Sequence, residues 1–112
     1  MIELCSVAEL KANKTKGFDL DVDGRNVGLF LVHHEEKIYA YSNRCPHVGT
    51  PLNWVPDRFM DSEGEFLQCA THGAMFRIED GYCECGPCAG ESLQPTTITI
   101  HGNAIYWCEP AM

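Results

Sequence analysis

Apolar residues along this chain fall into short runs, which turn residues interrupt at frequent intervals. Asp23–Gly24 and Asp80–Gly81 lie between such runs, as does Gly102–Asn103, and these pairs favour tight β-hairpins. In the last hairpin the isoleucines of TTITI alternate with threonines, which is the period of a half-buried strand. The runs predicted as strands are IELC, FDLDV, VGLFLV, KIYAYS, EFLQC, AMFRI, YCE, TTITI and AIYWC.

One short helix is the exception to this pattern. Ser6, followed three residues later by Glu9, forms a capping box, so VAEL is expected to make a helical turn. The stretch 44–56 carries four Pro and Gly residues and is predicted to be a loop. The sequence therefore predicts an all-β fold in a single domain over residues 1–112.

The composition supports one globular domain and narrows the class of partner. Of the 112 residues, 45% are apolar and 21% are charged, which excludes a disordered chain. Sixteen acidic residues against eight basic ones give a net charge of −8. Nucleic acid and anionic membrane are therefore unfavourable partners, whereas a basic protein surface would be attracted.

The beginning of the chain and its cysteine count point to the cytoplasm. Glu3 and Glu9 lie within the first ten residues, which have no basic start, so a secretion signal is not expected. The longest apolar run, VGLFLV, is too short to cross a bilayer. Seven cysteines without an export signal favour reduced thiols for metal binding or redox chemistry over a disulfide framework.

Two Cys–His pairs carry the candidate chemistry. Cys45 and His47 form a C-x-H pair, and Cys69 and His72 form a C-x-x-H pair. Two thiolates with two imidazoles can bind zinc or an iron–sulfur centre. Zinc fingers usually take two cysteines from one turn and two histidines from a helix, whereas here each loop supplies one of each. The two loops are therefore expected to approach one shared centre.

These loops resemble those of the Rieske family, which has C-x-H on its first loop and C-x-x-H on its second. Gly49 and Gly73, which follow the histidines, also match. The resemblance implies antiparallel sheets in a sandwich, with a small cluster-binding subdomain at about 43–90 inserted in the β base. It also implies one 2Fe–2S cluster. The implied cofactor and metal ligands are Cys45 and Cys69 on one iron, and His47 and His72 on the other.

Departures from the high-potential members of this family imply a low potential. Thr50 and Thr71 occupy the positions of the cysteines that link the two loops by a disulfide. Ala74 and Phe76 occupy the positions of a serine and a tyrosine whose hydroxyls donate hydrogen bonds around the cluster. Each lost donor makes the reduced cluster less stable, so we expect a potential near the low end of the Rieske range, about −150 mV.

Two further segments adjoin or separate the motifs. Gly86–Pro87 matches the family's segment that covers the cluster. Three further thiols adjoin it, and they are interpreted as inert, with a redox disulfide or a second zinc site as alternatives. These thiols are Cys83, Cys85 and Cys88. The longer loop between the motifs, with Trp54, Arg58 and Phe59, is either a docking feature or an idle insertion, and the insertion is favoured.

The function implied by the resemblance is one-electron transfer by a soluble carrier and not catalysis. The expected donor is an NAD(P)H-dependent flavin reductase and the expected acceptor is a terminal oxygenase. The carrier is expected to be a monomer that binds neither nucleic acid nor membrane. Alternatives are the small Rieske subunit of an enzyme similar to nitrite reductase, a zinc-binding structural module, and an iron–sulfur redox sensor using the thiols at 83–88.

Overall fold

The computed structural model describes residues 2–44, 59–60, 64–69, 73–86 and 90–108. In these ranges the elements are β1 Ile2–Ser6, α1 Val7–Asn13, β2 Thr15–Val22, β3 Arg25–His34, β4 Lys37–Ser42, β5 Phe66–Gln68, β6 Met75–Arg77, β7 Cys83–Cys85, β8 Ile98–His101 and β9 Ala104–Trp107. The nine strands form three antiparallel sheets, with strand orders β1–β9–β8, β2–β3–β4 and β5–β6–β7. The predicted all-β fold is confirmed.

Helix α1 begins where the capping pattern predicts. The Ser6 Oγ accepts a hydrogen bond of 3.0 Å from the Glu9 amide, which satisfies one of the unpaired amides of the first turn. The helix is longer than the predicted turn and ends at Asn13, followed by the C-cap residue Lys14, whose φ is 69°. Leu10 on its inner face is fully buried. Within the described residues no helix is long and apolar enough to cross a membrane.

Strand β3 lies between two hydrophobic cores, and this explains its uninterrupted apolar run. Successive side chains of a strand point to opposite faces. Phe30 and Val32 enter a first core together with residues of the β5–β6–β7 sheet. Leu29 and Leu31 enter a second core between β3, α1 and the β1–β9 pair. All four side chains have no exposed surface, so neither face of the strand meets solvent at residues 29–32.

The β5–β6–β7 sheet positions the candidate site. It lies between β4 and β8 in the chain and is built from strands of three residues each. Phe66 pairs with Arg77, Leu67 with Phe76 and Gln68 with Met75. The inward-facing residues of this sheet reach the first core, which also receives Tyr41 and Leu93. The cluster-binding subdomain at about 43–90 and the single domain over 1–112 stay predictions, since 45–58 lies outside the described residues.

Candidate metal centre

Cys69 lies at the point where the chain leaves β5, in a loop that two backbone hydrogen bonds close. Its amide donates to the Ala74 carbonyl at 2.9 Å, and the Gly73 amide donates to the Cys69 carbonyl at 2.9 Å. Gly73 has a φ of 72°, a left-handed conformation that glycine adopts without the cost of a Cβ. The β5–β6 hairpin therefore fixes the backbone of Cys69.

The Cys69 side chain is completely buried and forms no disulfide. It belongs to the first core, where Leu67, Phe76 and Cys83 are also fully buried. A thiolate is the form of cysteine that binds metal, and apolar surroundings exclude water from the bond it makes. A free thiol held in this way, at the inner end of a loop, is suited to act as a metal ligand.

Three of the four predicted ligands lie outside the described residues. They are Cys45, His47 and His72. The structure therefore places one member of the predicted set, Cys69, and does not test whether the four side chains meet. The donor set itself, two thiolates and two imidazoles, has the chemistry of a Rieske 2Fe–2S site.

Gly86 packs directly against the loop of Cys69. A Cβ built on Gly86 would lie 2.7 Å from the Ala74 Cα and 3.0 Å from the Ala74 Cβ, closer than van der Waals contact allows. The φ of Gly86 is 107°, which also favours glycine. The predicted covering segment thus begins in contact with the Cys69 loop, while Pro87 lies outside the described residues.

A β-bulge separates the two described thiols of the 83–88 segment. Met75 pairs with Cys85 and Phe76 pairs with Cys83, so Glu84 is an additional residue on β7. Because Met75 and Phe76 point to opposite faces, Cys83 and Cys85 do so too. Cys83 is fully buried and its Sγ donates to the Cys85 carbonyl at 3.3 Å, whereas Cys85 is exposed. This arrangement does not support a disulfide between them.

The second zinc site is likewise unsupported in the part of the chain that the structure describes. No three His, Cys, Asp or Glu side chains there are grouped as metal ligands. Cys88 lies outside the described residues, so sites that include it stay untested. Within the described segment, the interpretation of Cys83 as an inert thiol agrees with its burial.

Phe59 is a structural residue and does not belong to an idle insertion. Its ring stacks on Phe30 with centroids 4.3 Å apart and an interplanar angle of 11°. The Phe59 carbonyl accepts from the Gln68 amide at 2.9 Å, and Met60 forms a bridge to Leu67. The end of the long loop is therefore anchored beneath β5, while Trp54 and Arg58 lie outside the described residues.

Tyr41 is a residue that the sequence did not single out, and it joins the β2–β3–β4 sheet to the β6–β7 turn. Its hydroxyl donates to the Ile78 carbonyl at 2.6 Å, and its side chain is almost fully buried. Burial, with a smaller contribution from the negative charge of Asp80, raises the pKa of Tyr41 to about 12. A phenol hydroxyl inside an apolar core needs a hydrogen-bond partner, but the sequence does not reveal which carbonyl supplies it.

A model of the Rieske 2Fe-2S domain matches residues 1–101. The chain belongs to the Rieske family. The predicted resemblance is thereby confirmed over most of the chain, and a Rieske domain implies a 2Fe–2S cluster as its cofactor. No curated protein sequence matches this Rieske chain significantly.

Solved structures share the fold of this Rieske protein. The ferredoxin of carbazole 1,9a-dioxygenase from Nocardioides aromaticivorans IC177 is 20% identical, with a TM-score of 0.68 over 98% of this chain and 100% of that one. The plasma-membrane Rieske protein of Synechocystis PCC 6803 is 21% identical, with a TM-score of 0.68 over 97% and 100%. A chain in a complex of reduced oxygenase and oxidised ferredoxin of carbazole 1,9a-dioxygenase is 17% identical, with a TM-score of 0.70 over 96% and 100%. At sequence identities this low, the structural similarity establishes the shared fold alone.

Proposed function

We propose that this Rieske protein is a one-electron carrier whose 2Fe–2S cluster is held by Cys45, His47, Cys69 and His72. The observation that carries the proposal is the buried, disulfide-free Cys69, which the β5–β6 hairpin fixes at the second motif of a chain matched by the Rieske model. When bound, the cluster supplies reversible one-electron chemistry. The protein's own part is to hold the ligands and to keep water from the thiolate side.

The residues around Cys69 support a potential at the low end of the Rieske range. Ala74 and Phe76 are 1% and 0% exposed, and neither side chain carries a hydroxyl that could donate to a cluster sulfur or to Cys69. Hydrogen bonds to cluster sulfurs raise the potential because they stabilise the more negative reduced state. We therefore expect a value of about −150 mV.

The proposed partners are an NAD(P)H-dependent reductase as donor and a terminal oxygenase as acceptor. Support comes from the likeness to a dioxygenase ferredoxin and to a chain of an oxygenase–ferredoxin complex. The net charge of −8 favours docking on basic protein surfaces and disfavours nucleic acid and anionic membrane. We further propose that the carrier is a cytoplasmic monomer with no catalytic site of its own.

The cofactor is tested on protein purified without oxygen. Equal amounts of iron and acid-labile sulfide, with the low average g value of an imidazole-ligated cluster after dithionite reduction, are expected. Cys69→Ser should abolish this signal, because it removes the buried ligand. Cys85→Ser is the matched control, since Cys85 is exposed on the opposite face of the sheet and its loss should leave the signal unchanged. A colourless protein with one bound zinc would contradict the proposal.

The partners are tested by electron transfer in solution. The oxidised protein should be reduced by NAD(P)H only when a flavin reductase is added, and the reduced protein should be reoxidised by an oxygenase of the Rieske type. Stopped-flow absorbance follows both steps, and gel filtration reports whether the carrier is free. A protein that copurifies in a tight enzyme complex would instead support the subunit of an enzyme similar to nitrite reductase.

A further inference from the structure

Strand β4 has one edge that the chain covers only in part. In the β2–β3–β4 sheet β4 lies at the end, and its inner edge pairs with β3. On its outer edge the Ser42 amide donates to the Gln94 carbonyl at 2.8 Å, and the Thr96 amide donates to the Ala40 carbonyl at 3.1 Å. After Thr96 the chain turns away, and Ile98 joins β9.

Ile38 lies where the segment 94–96 leaves this edge. Backbone groups of alternate residues face the same side of an antiparallel strand, so Ile38 faces the same side as Ala40 and Ser42. Among the described residues, no backbone hydrogen bond reaches Ile38 from that side. Within the described part of the chain, the Ile38 amide and carbonyl are therefore available to pair with another extended chain.

A groove of about 510 Å³ runs along this open edge. It is lined by residues 38–41 of β4, by residues 95–98 and by Glu79 and Asp80. Ile38 and Ile98 are half-buried and belong to its lining. Exposed strand edges are usually protected, because they can pair with other chains.

Two acidic residues, Glu79 and Asp80, line the groove. The Asp80 carboxylate pairs with the Arg77 guanidinium, a contact that lowers the pKa of Asp80 and keeps it ionised. Glu79 is exposed, and its Oε1 lies 3.9 Å from the His34 Nε2. Two cations partly offset these carboxylates, since Lys37 precedes Ile38 on β4 and Arg77 pairs with Asp80, but the whole chain carries a net charge of −8.

We propose that the open edge of β4 accepts an extended, basic segment of a protein partner, which adds to the sheet as a further strand. Main-chain hydrogen bonds to Ile38 would supply affinity, and lysine or arginine side chains beside Glu79 would supply specificity. A second copy of this chain is a poorer occupant, since two chains of charge −8 repel and bring the acidic residues of both grooves together. The proposal does not depend on the electron carrier, because the groove contains none of the predicted cluster ligands.

The probe is a blocked octapeptide of alternating valine and lysine, added to the full-length protein. Amide chemical shifts by NMR should change saturably at Ile38 and Ala40 as the peptide is titrated. A version N-methylated at alternate residues should bind about tenfold more weakly, because it loses main-chain hydrogen bonds. A version with glutamate in place of lysine should show no saturable change.

Two variants with matched controls locate the site. Ile38→Pro removes the outward amide without removing a β3–β4 hydrogen bond, and should weaken binding about tenfold, whereas Ile38→Val should not. Glu79→Gln should weaken binding roughly twofold at low salt, whereas Glu3→Gln on β1 should leave it unchanged. Near-UV circular dichroism checks that each variant is folded, and Glu79→Gln tests the site even if Ile38→Pro does not fold.

Four results would overturn the proposal. They are unchanged binding by Ile38→Pro, equal binding of the acidic peptide, shifts confined to other surfaces, and strong exchange protection of the Ile38 amide before any peptide is added. A dimer in gel filtration that Ile38→Pro dissociates would assign the edge to a second copy instead. Cluster content and potential are measured on the same samples, so a failed electron carrier is distinguished from a failed peptide site.

Discussion

Gly86 lies so close to Ala74 that a Cβ on Gly86 would stand 2.7 Å from the Ala74 Cα. This contact joins the start of the predicted covering segment to the loop that holds Cys69. Since backbone atoms on both sides are involved, neither partner can move aside as a flexible side chain would. The covering segment can approach the Cys69 loop this closely only because residue 86 is a glycine.

Gly86→Ala should therefore loosen the cluster site. The methyl group forces the two loops apart, and the positive φ of residue 86 is unfavourable for alanine. We therefore expect a loss of about 2–4 kcal/mol in unfolding free energy. The separated loops should admit water, and the half-life of the visible cluster absorbance in air should shorten. Gly90→Ala is the control, because Gly90 has a similar φ of 96° but no atom within 4 Å of a built Cβ. Equal effects of both variants would show that strain at φ, and not the contact with Ala74, is responsible.

Tyr41→Phe should lower the free energy of unfolding without changing the ring packing. In the parent protein the Tyr41 hydroxyl donates to the buried Ile78 carbonyl at 2.6 Å, and the variant leaves this carbonyl without its donor. Such a loss costs about 1–3 kcal/mol. Urea unfolding followed by circular dichroism measures the difference, and Tyr39→Phe, at a half-buried ring on the same strand, is the control. A Tyr41→Phe protein as stable as the parent would contradict this role of the hydroxyl.

Stability should fall at alkaline pH as Tyr41 ionises. Its pKa in the folded protein is about 12 and its ordinary value is 10, so the folded state holds the proton more tightly than the unfolded state. The stabilisation that this pKa difference gives the folded state is complete below pH 10 and is lost as pH rises through about 12. Unfolding free energies measured from pH 9 to 12 should decline more steeply for the parent than for Tyr41→Phe. Parallel declines would place the effect in other groups.

Ala74→Ser should raise the reduction potential. Residue 74 is buried, its carbonyl pairs with the Cys69 amide, and a hydroxyl there could donate toward the cluster side of the loop. A hydrogen bond stronger by about 1 kcal/mol in the reduced state corresponds to a rise of about 40 mV. Protein-film voltammetry measures the shift. Cys85→Ser introduces a hydroxyl on the opposite face and should leave the potential unchanged, so equal shifts would argue against a local hydrogen bond.

Local sequence determined much of the fold. The capping pair Ser6 and Glu9 set the start of α1, and the turn pairs at 23–24, 80–81 and 102–103 lie between strands that do pair. These features depend on residues only a few positions apart, so turn and capping chemistry predict them directly. The two Cys–His motifs identified the family for the same reason, because ligands within one loop are fixed by short spacings. The four-ligand site itself stays a prediction, since only Cys69 lies among the described residues.

Tertiary structure decided which distant residues meet. Stacking of Phe59 on Phe30, the hydrogen bond from Tyr41 to Ile78 and the approach of Gly86 to Ala74 all join residues 12 to 37 positions apart. The bulge at Glu84, which directs Cys83 inward and Cys85 outward, follows from the register against β6 and leaves no mark in the CxCxxC spacing. Periodicity reports which face of a strand is apolar, but not which partner covers it. That choice depends on how three small sheets pack around two cores, and the sequence alone does not contain it in a readable form.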